Sequence, residues 1–243
     1  MADNSETGLP ASIEEAWGLR RRPRKGPKPG LDLERIVGAA VRVAASEGLE
    51  AVSMSRVAAE LGSSTMSLYR YVAAKDELLA LMIDAAFDAP AAAPSPGEGW
   101  RAGLSRWAWT YHDALRRHPW VLRVPISGPP VTPNQIAWLE DGLRSLGDTG
   151  LSEPEKLSVI LLVSGYVRNE ATLAADLGAA EQEIMPAWGR QIARLTDPER
   201  FPALHAVLAS DVVARDDDPD DEFVFGLERV LDGIDALVRA RSG

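Results

Sequence analysis

The chain has 243 residues, of which 46% are hydrophobic and 26% are charged, proportions that are ordinary for a globular protein with a buried core. It contains no cysteine, which excludes disulfides, thiolate metal sites and cysteine nucleophiles. No apolar run approaches the roughly 18 residues of a membrane span, and the amino terminus lacks the basic and then apolar layout of a secretion signal. We therefore expect a cytoplasmic protein with no membrane partner.

The net charge of −10 is distributed unevenly along the chain. Residues 20–75 hold 11 Lys and Arg against 5 Asp and Glu, a balance of +6, whereas residues 91–243 hold 15 against 23, a balance of −8. Charges farther away than a Debye length of about 8 Å are largely screened, so a nearby phosphate responds to the local excess. The asymmetry predicts a basic nucleic-acid-binding module joined to an acidic body.

Residues 1–30 combine six basic residues with several prolines, a composition that disfavours a core helix. We predict a flexible basic arm over this segment. Two interpretations stay open, a solvated tail or an arm that orders on DNA, as minor-groove arms do. In the second case Arg22 and Arg24 are the expected DNA contacts.

The pattern becomes helical at Asp32, a candidate N-cap, and apolar residues then recur at intervals of three and four until Gly48. The spacing within Ser53–Tyr71 predicts two short helices separated by Gly62, which can adopt the left-handed conformation that ends a helix. Residues 31–74 are thus predicted to form a three-helix domain that contains a helix-turn-helix.

The second helix of this unit separates its side chains onto two faces. Leu68 and Val72 are placed inward, whereas Met66, Ser67 and Arg70 are placed outward, where such a helix meets base edges in the major groove. Arginine can donate two hydrogen bonds to guanine, hydroxyls adapt to either role, and methionine can contact a thymine methyl. The predicted base contacts are Ser55, Thr65, Met66, Ser67 and Arg70.

Other residues of the same unit are expected to contact phosphates, which fixes the register on DNA without reading its sequence. These are Ser53, Tyr69, Tyr71 and Lys75. Ser53 can also cap its helix, and Tyr71 can belong partly to the core. For Arg70 the alternative is a surface arginine that pairs with phosphate or with Glu60.

After this domain, residues 75–88 are predicted to form a connecting helix, and the proline-rich residues 89–99 interrupt the pattern. Apolar periodicity predicts further helices at about 100–118, 133–147, 153–178, 182–195, 200–209 and 221–241. Sustained period-two alternation is absent from the sequence. We therefore predict an all-α protein with a three-helix N-terminal domain and a larger helical C-terminal domain over residues 75–243.

Residues 48–82 read GLEAVSMSRVAAELGSSTMSLYRYVAAKDELLALM. With the helix before them, they resemble the DNA-binding domain of the TetR (tetracycline-repressor) family of bacterial transcriptional regulators, over about residues 31–87. His118-Pro119-Trp120, followed by two long helices, resembles the C-terminal domain of the tetracycline-repressor branch. The resemblance implies a repressor that binds a palindromic operator as a homodimer and is released allosterically when a small molecule binds the C-terminal domain.

Six of the seven tryptophans lie at residue 100 or later, and Trp107, Tyr111 and Leu115 fall on one helix face. An aromatic pocket for a planar, hydrophobic inducer is one interpretation, and an ordinary aromatic core is the other. Tyr166 and Asn169 lie in an otherwise apolar helix, as polar anchors would, or they satisfy a neighbour or face a partner subunit. The predicted ligand contacts are Trp107, Tyr111, Leu115, Trp120, Val124, Trp138, Tyr166 and Asn169.

The helices at about 153–178 and 221–241 are the predicted homodimer interface. The second carries a broad apolar stripe that a terminal helix must bury: Phe223, Leu227, Val230, Leu231, Ile234, Leu237 and Val238. Burial of this stripe against its own chain is the alternative.

An enzyme is not expected, and we predict no metal and no cofactor. His112 and His118 are six apart and would face differently on one helix, and the glycines at Gly142 and Gly147 are followed by Asp148 where a phosphate loop needs lysine. A helical protein-interaction module without sequence-specific DNA binding is the alternative function. The basic arm and the polar recognition face argue against it, because an adaptor needs neither.

Overall fold

The structure is a computed structural model that describes residues 7–20, 30–88, 97–178, 181–210 and 220–242. Within these ranges the chain is helical and has no β-strand, which confirms the predicted fold class. The helices are α1 (Ala11–Ala16), α2 (Leu33–Glu47), α3 (Met54–Glu60), α4 (Thr65–Tyr69), α5 (Lys75–Ala86), α6 (Trp100–Arg117), α7 (Pro133–Ser145), α8 (Glu153–Leu177), α9 (Glu181–Leu195), α10 (Pro202–Leu208) and α11 (Asp221–Ser242).

We call residues 31–74, with α2 to α4, the head. Helix α2 begins after Asp32, whose carboxylate accepts a hydrogen bond from the Arg35 amide at 2.8 Å. It ends at Gly48, where φ is +86°, a backbone conformation that glycine adopts without a steric penalty. A short 3-10 turn, Leu49–Ala51, then leads into α3.

Serine caps and a glycine define the helix-turn-helix. The Ser53 hydroxyl accepts from the Arg56 amide at the start of α3, and the Ser64 hydroxyl accepts from the Ser67 amide at the start of α4. Gly62, with φ of +62°, makes the turn between them. The predicted turn at Gly62 is therefore confirmed. Helix α4 has five residues.

The head has a continuous apolar core that α5 completes, because α2 packs on both α3 and α5. Helices α2 to α5 all contribute to this core. Its almost fully buried residues are Ile36, Val43, Val52, Val57, Leu68, Val72, Leu78 and Met82. Each wholly buried leucine or valine side chain contributes on the order of 1.5–3 kcal/mol. Packing, rather than intrinsic helix propensity, therefore holds a helix as short as α4 in place.

We call α6 to α11 the body. The long helix α8 packs on α6, α7 and α11. A second 3-10 turn, Pro119–Arg123, follows α6 and rests on α8. The turn buries Trp120 and Val121, and the helical periodicity did not predict it.

Helix α5 joins head to body through its C-terminal half. The buried Asp84 accepts hydrogen bonds from the backbone amides of Asn134 and Gln135, at 2.8 and 3.2 Å. These are amides of the first turn of α7, which otherwise have no partner within the helix. Because Thr132, the N-cap of α7, makes no side-chain cap, a residue of α5 caps α7 in its place.

The predicted flexible arm over residues 1–30 is wrong for its central part. Residues 11–16 form α1, which packs on α5 and buries Ile13. A segment of six residues is too short to form a stable helix on its own. It is also too short to show the apolar periodicity that reveals longer helices in a sequence. Tertiary contacts with α5, which are invisible in the local sequence, stabilise this segment.

The predicted boundaries of the long helices agree with the structure to within a few residues. The connecting helix ends at Ala86 rather than at residue 88, and α10 begins at Pro202 rather than at 200. Among the described residues no helix combines the length and the apolar character needed to cross a membrane.

Candidate DNA-contact surface and ligand site

Helix α4 presents two different faces, as its sequence predicts. Leu68 and, just beyond the helix, Val72 are fully buried, whereas Met66 is 74% exposed. Tyr69 and Arg70 are also exposed, and Thr65 and Ser67 are half-buried. The side chains proposed to meet base edges therefore have access to solvent.

The hydroxyl groups near the start of α3 and α4 form pairs. Ser64 and Ser67 hydroxyls lie 2.8 Å apart, and those of Ser53 and Ser55 lie 3.1 Å apart. Each pair retains further donor or acceptor capacity, since a hydroxyl has one donor and two acceptor positions. Such groups can add a hydrogen bond to phosphate or to a base without breaking their cap.

Tyr71 has a structural role in the head. It is half-buried, and its hydroxyl donates to the Leu31 carbonyl at 2.8 Å, at the start of α2. The interpretation that Tyr71 belongs partly to the core thus agrees with the structure. Lys75, by contrast, is exposed at the first position of α5.

Near this surface, Arg56 of α3 is held by two carboxylates. Its guanidinium pairs with Glu47 at 2.5 Å and with Glu60 at 3.1 Å. Hydrogen bonding to Arg56 lowers the pKa of Glu47, and the same bond raises the pKa of Arg56. The predicted arm contacts Arg22 and Arg24 lie outside the described residues.

Four aromatic side chains form one cluster at the meeting point of α5, α6 and α7. Trp107 stacks on Tyr111 at 5.6 Å between ring centroids, and Trp138 lies 6.0 Å from Tyr111 and 6.4 Å from Trp107. Phe87 completes the cluster, 5.5 Å from Tyr111. Phe87 is not among the residues that the sequence predicted as ligand contacts.

Hydrogen bonds fix the two indoles of this cluster. The Trp107 nitrogen donates to the Trp138 carbonyl at 2.9 Å, and the Trp138 nitrogen donates to the Asp88 carbonyl at 2.8 Å. A Cβ at Gly142 would lie 3.1 Å from the Trp107 ring and 2.8 Å from Ile160. Any larger residue at this position would therefore require the Ile160 side chain and the indole to shift.

Tyr111 is the polar member of the cluster. Burial raises the pKa of its hydroxyl, and the positive charge of Arg168 in α8 partly opposes this rise. The phenol is therefore a neutral donor or acceptor at physiological pH. Arg168 is not among the predicted contacts, which include Tyr166 and Asn169 as the polar residues of that helix.

The remaining predicted ligand residues occupy different surroundings. Leu115, Trp120 and Val124 are buried, and among the described residues nothing accepts a hydrogen bond from the Trp120 nitrogen. Asn169 is exposed on α8. Tyr166 lies against α11, where its hydroxyl donates to the Phe223 carbonyl at 2.9 Å, so the structure does not place it in the Trp107 cluster.

A second aromatic group forms where α6 and α8 meet α11. His112 stacks on Phe223 at 4.1 Å, and Trp109 and Tyr166 pack on the same ring at 4.7 and 5.8 Å. Burial lowers the pKa of His112, and Arg116 lowers it further. The neutral imidazole is therefore favoured, and it contributes to the core as an aromatic ring.

The apolar stripe of α11 is largely satisfied within its own chain. Phe223, Leu227, Leu231 and Ile234 are each 3% exposed or less, so for these residues burial against the same chain, the alternative considered above, is correct. Other apolar residues of α8 and α11 remain exposed. They are Leu157, Leu161, Leu162, Leu173, Val224 and Phe225.

Between these two helices lies an open groove of about 330 Å³, lined by Val159, Leu162, Val230 and Leu237 among others. Large exposed apolar areas on a globular chain commonly mark interaction surfaces. The structure therefore leaves one face of the α8–α11 pair available for a partner.

Comparison with known protein families decides the identity of these two parts. Residues 36–82 match the family described as bacterial regulatory proteins, tetR family. Residues 93–238 match the tetracyclin repressor-like, C-terminal domain. The chain belongs to the TetR family.

Individual relatives agree with this TetR assignment. The HTH-type transcriptional repressor DrrR1 of Streptomyces coeruleorubidus is 42% identical over 246 residues, which cover 96% of this chain and 87% of that protein. The tetracycline repressor protein class E of Escherichia coli is 31% identical over 138 residues, covering 56% of this chain and 65% of the relative.

The fold is also found in solved structures of TetR proteins. ActR of Streptomyces coelicolor in complex with (S)-DNPA matches with a TM-score of 0.71 and 26% identity, over 86% of this chain and 98% of ActR. ActR in complex with actinorhodin gives the same TM-score at 25% identity, over 88% and 99%.

As a TetR-family protein, the chain is a ligand-responsive, DNA-binding regulator of transcription. The head with the helix-turn-helix and the body with the aromatic cluster correspond to the two matched regions. The relatives are regulators rather than enzymes, and the alternative of an interaction module without DNA binding is not favoured.

Proposed function

We propose that this protein is a repressor that binds a palindromic operator as a homodimer and leaves it when a small molecule occupies the body. The observation that carries the proposal is the solvent-facing side of α4, with Met66 and Arg70 exposed while Leu68 and Val72 are buried behind them. A sequence identity of 42% to a protein named as a repressor supports repression as the direction of regulation. We further propose that it acts in the cytoplasm and has no catalytic activity.

In this proposal the head divides its contacts between bases and backbone. Arg70 reads guanine, while Thr65, Met66, Ser67 and Ser55 contribute shorter contacts at base edges. Ser53, Tyr69 and Lys75 bind phosphates. Tyr71 acts mainly by holding α2 against the turn after α4, which its bond to Leu31 supports.

Two copies of the chain are proposed to pair through the exposed faces of α8 and α11. Pairing these faces would remove leucine and phenylalanine side chains from water, and each Å² of apolar surface buried contributes about 25 cal/mol. A twofold axis through this contact would present the two heads to two half-sites of a palindrome. Homodimeric pairing also explains why α11 keeps apolar residues on its outer side.

The inducer is proposed to be an aromatic or hydrophobic small molecule that contacts the cluster of Phe87, Trp107, Tyr111 and Trp138. ActR, which resembles this chain, is known in complex with actinorhodin and with (S)-DNPA. Stacking rings and one polar phenol suit a planar ligand that carries an oxygen atom. Release of DNA requires that this ligand favour one geometry of the dimer over the other, since equal affinity for both would shift nothing.

Selection from a random duplex library with the purified protein tests the function directly. We expect the enriched DNA to contain an inverted repeat, and we expect gel-shift binding to it to resist competitor DNA and to weaken steeply with salt, because bound cations are released from phosphates. Enrichment of no sequence above background would contradict the proposal. A matched duplex with one half-site scrambled serves as the control.

A further inference from the structure

Helix α1 contacts the first turn of α5, a few residues after the end of the recognition helix α4. The Ser12 hydroxyl donates to Glu77 Oε2 at 2.7 Å, and the same oxygen accepts from the Ala73 amide at 3.2 Å. Ala73 belongs to the turn that follows α4 and precedes α5. Through one carboxylate, α1 is therefore connected to the backbone three residues after Arg70.

The other end of α1 contacts the body. The indole nitrogen of Trp17 donates to the Val131 carbonyl at 2.8 Å, two residues before α7 begins. Between these two bonds, Ile13 is 2% exposed and packs into the core. A segment of six residues therefore links the first turn of α5 to the entrance of α7.

Charged side chains stabilise α1 itself. Glu14 is buried, its carboxylate pairs with Arg20 at 2.6 Å, and it accepts from the Thr7 hydroxyl at 2.5 Å. A buried carboxylate without such partners would carry a large desolvation cost. Both partners lie within residues 7–20, so these bonds compensate the burial of Glu14 and stabilise the conformation of the segment itself.

We propose that α1 is an intramolecular strap that fixes the angle between head and body, and so sets the half-site spacing that the dimer accepts; this inference rests on the proposed function. The other ties of α5 to the body, through Asp84 and Asp88, lie near its C-terminal end. Glu77 is seven residues before Asp84, about 10 Å along the helix at 1.5 Å per residue. With contacts to the body only near its C-terminal end, α5 could pivot there. The second contact, through α1 near the N-terminal end of α5, prevents this movement.

The geometry of DNA makes this angle matter. Half-sites of a helix-turn-helix dimer lie about 34 Å apart, or one helical turn, so the separation of the two recognition helices must match that distance. Small rotations of each head change the separation. Ser12, Glu77 and Trp17 are thus positioning residues that touch no DNA and act through the placement of α4.

The test compares Trp17→Phe, Ser12→Ala and the double variant with the wild type on the duplex enriched by the wild type. Phenylalanine keeps an aromatic side chain but removes the indole N–H that donates to the Val131 carbonyl. Trp188→Phe is the matched control for a tryptophan of similar exposure, 38% against 41%. Ser210→Ala is the control for a hydroxyl that bonds only within its own helix end.

Binding is measured on the enriched duplex, on the same duplex with one base pair inserted or removed between half-sites, and on unrelated DNA. We expect the double variant to bind the enriched duplex about 3- to 10-fold more weakly, the range for loss of one or two net hydrogen bonds. The penalty for altered spacing should shrink, while binding to unrelated DNA stays at the wild-type value and the melting temperature falls by no more than a few degrees, as the loss of one or two net hydrogen bonds predicts. Both controls should behave as the wild type.

A spacing penalty that equals the wild-type value in the double variant would overturn the strap while leaving the repressor function intact. Failure of the wild type to enrich any duplex would instead contradict the proposed function. In that event amide hydrogen exchange of the full chain tests the role of α1 independently of DNA binding. Faster exchange around Ala73 in the double variant supports it, and unchanged exchange overturns it.

Discussion

At the scale of single residues, Arg70 directly after α4 and Lys75 at the start of α5 are both exposed cations, yet they are expected to affect DNA binding differently. Arginine presents a planar pair of donors that can match the two acceptors of guanine, whereas lysine carries a compact charge. One is therefore expected to read a base and the other to bind phosphate.

We predict that Arg70→Ala costs about 1–3 kcal/mol at one operator position and relaxes base preference there. Lys75→Ala, its matched control, should weaken binding to all sequences similarly and reduce the salt slope by about one. Quantitative binding to a set of operators with single base changes distinguishes the two. An unchanged base preference in Arg70→Ala would show that another residue reads that position.

At the scale of secondary-structure elements, the capping of α7 by Asp84 links α5 to the body. Asp84 is buried, and its carboxylate accepts two backbone amides of α7, while the Asn134 side chain donates to the Asp84 carbonyl at 2.9 Å. Trp138, one turn further along α7, belongs to the aromatic cluster. A change at the cluster can thus reach α5 through a single rigid helix.

We predict that Asp84→Ala destabilises the protein by about 1–3 kcal/mol, because two helix-terminal amides lose their acceptor in a buried site. Asp84→Asn keeps a side-chain oxygen in the same place and should retain most of the stability. Urea unfolding measures both variants. Equal losses in the two would show that the negative charge, and not the hydrogen bonding, stabilises the junction.

Helices α8 and α11 are joined at their ends by Glu155. Its carboxylate accepts from the Ser152 amide at 2.9 Å and pairs with Arg241 at 2.5 Å. The hydrogen bond from the Ser152 backbone, followed by the Arg241 interaction, lowers the pKa of Glu155 from 4.5 to about 2. A lowered pKa in the folded state means that the carboxylate stabilises the fold above the unfolded-state pKa and that this stabilisation is lost as the pH falls.

We predict that Glu155→Gln is less stable than the wild type at about pH 6, and that the difference shrinks as the pH falls from about 4.5 towards 2. Urea unfolding across this range measures it. Glu153→Gln, which alters an 83% exposed carboxylate of the same helix turn, is the control. It should show a smaller difference with little dependence on pH, and an equal pH dependence in both variants would contradict the assignment to Glu155.

At the scale of the whole molecule, the proposed dimer determines whether two weak head contacts become one specific complex. Leu161 is the most exposed apolar residue of α8, at 73%, and lies on the face left uncovered by α11. A charge placed there would be desolvated on pairing, which is strongly unfavourable without a partner charge. The same substitution on an equally exposed residue outside this face should have no such effect.

We predict that Leu161→Glu shifts the protein to the monomer in sedimentation analysis and lowers operator affinity by at least about 100-fold, because the second head no longer binds as part of one complex. Leu195→Glu, at a leucine of α9 that is 79% exposed, is the control and should remain a dimer. A dimeric Leu161→Glu protein would place the interface elsewhere on the body.

Much of this protein could be predicted from sequence because its helices are long and periodic. The pattern located α2, α6, α8 and α11 and the Gly62 turn, and it correctly separated Leu68 from Met66 on α4. The aromatic cluster was predicted only in part. Trp107, Tyr111 and Trp138 come together, but Phe87 joins them unpredicted, and Tyr166 instead packs on Phe223.

What the sequence alone determined is therefore the fold class, the head and the faces of its helices, since periodicity and caps are local properties that neighbouring residues decide. The tertiary structure alone decided that residues 11–16 fold against α5, that Asp84 caps α7, and that most of the apolar stripe of α11 is buried within its own chain. Each of these depends on contacts between residues far apart in the chain. Such contacts leave no periodic signal, because a partner tens of residues away imposes no spacing on the local sequence.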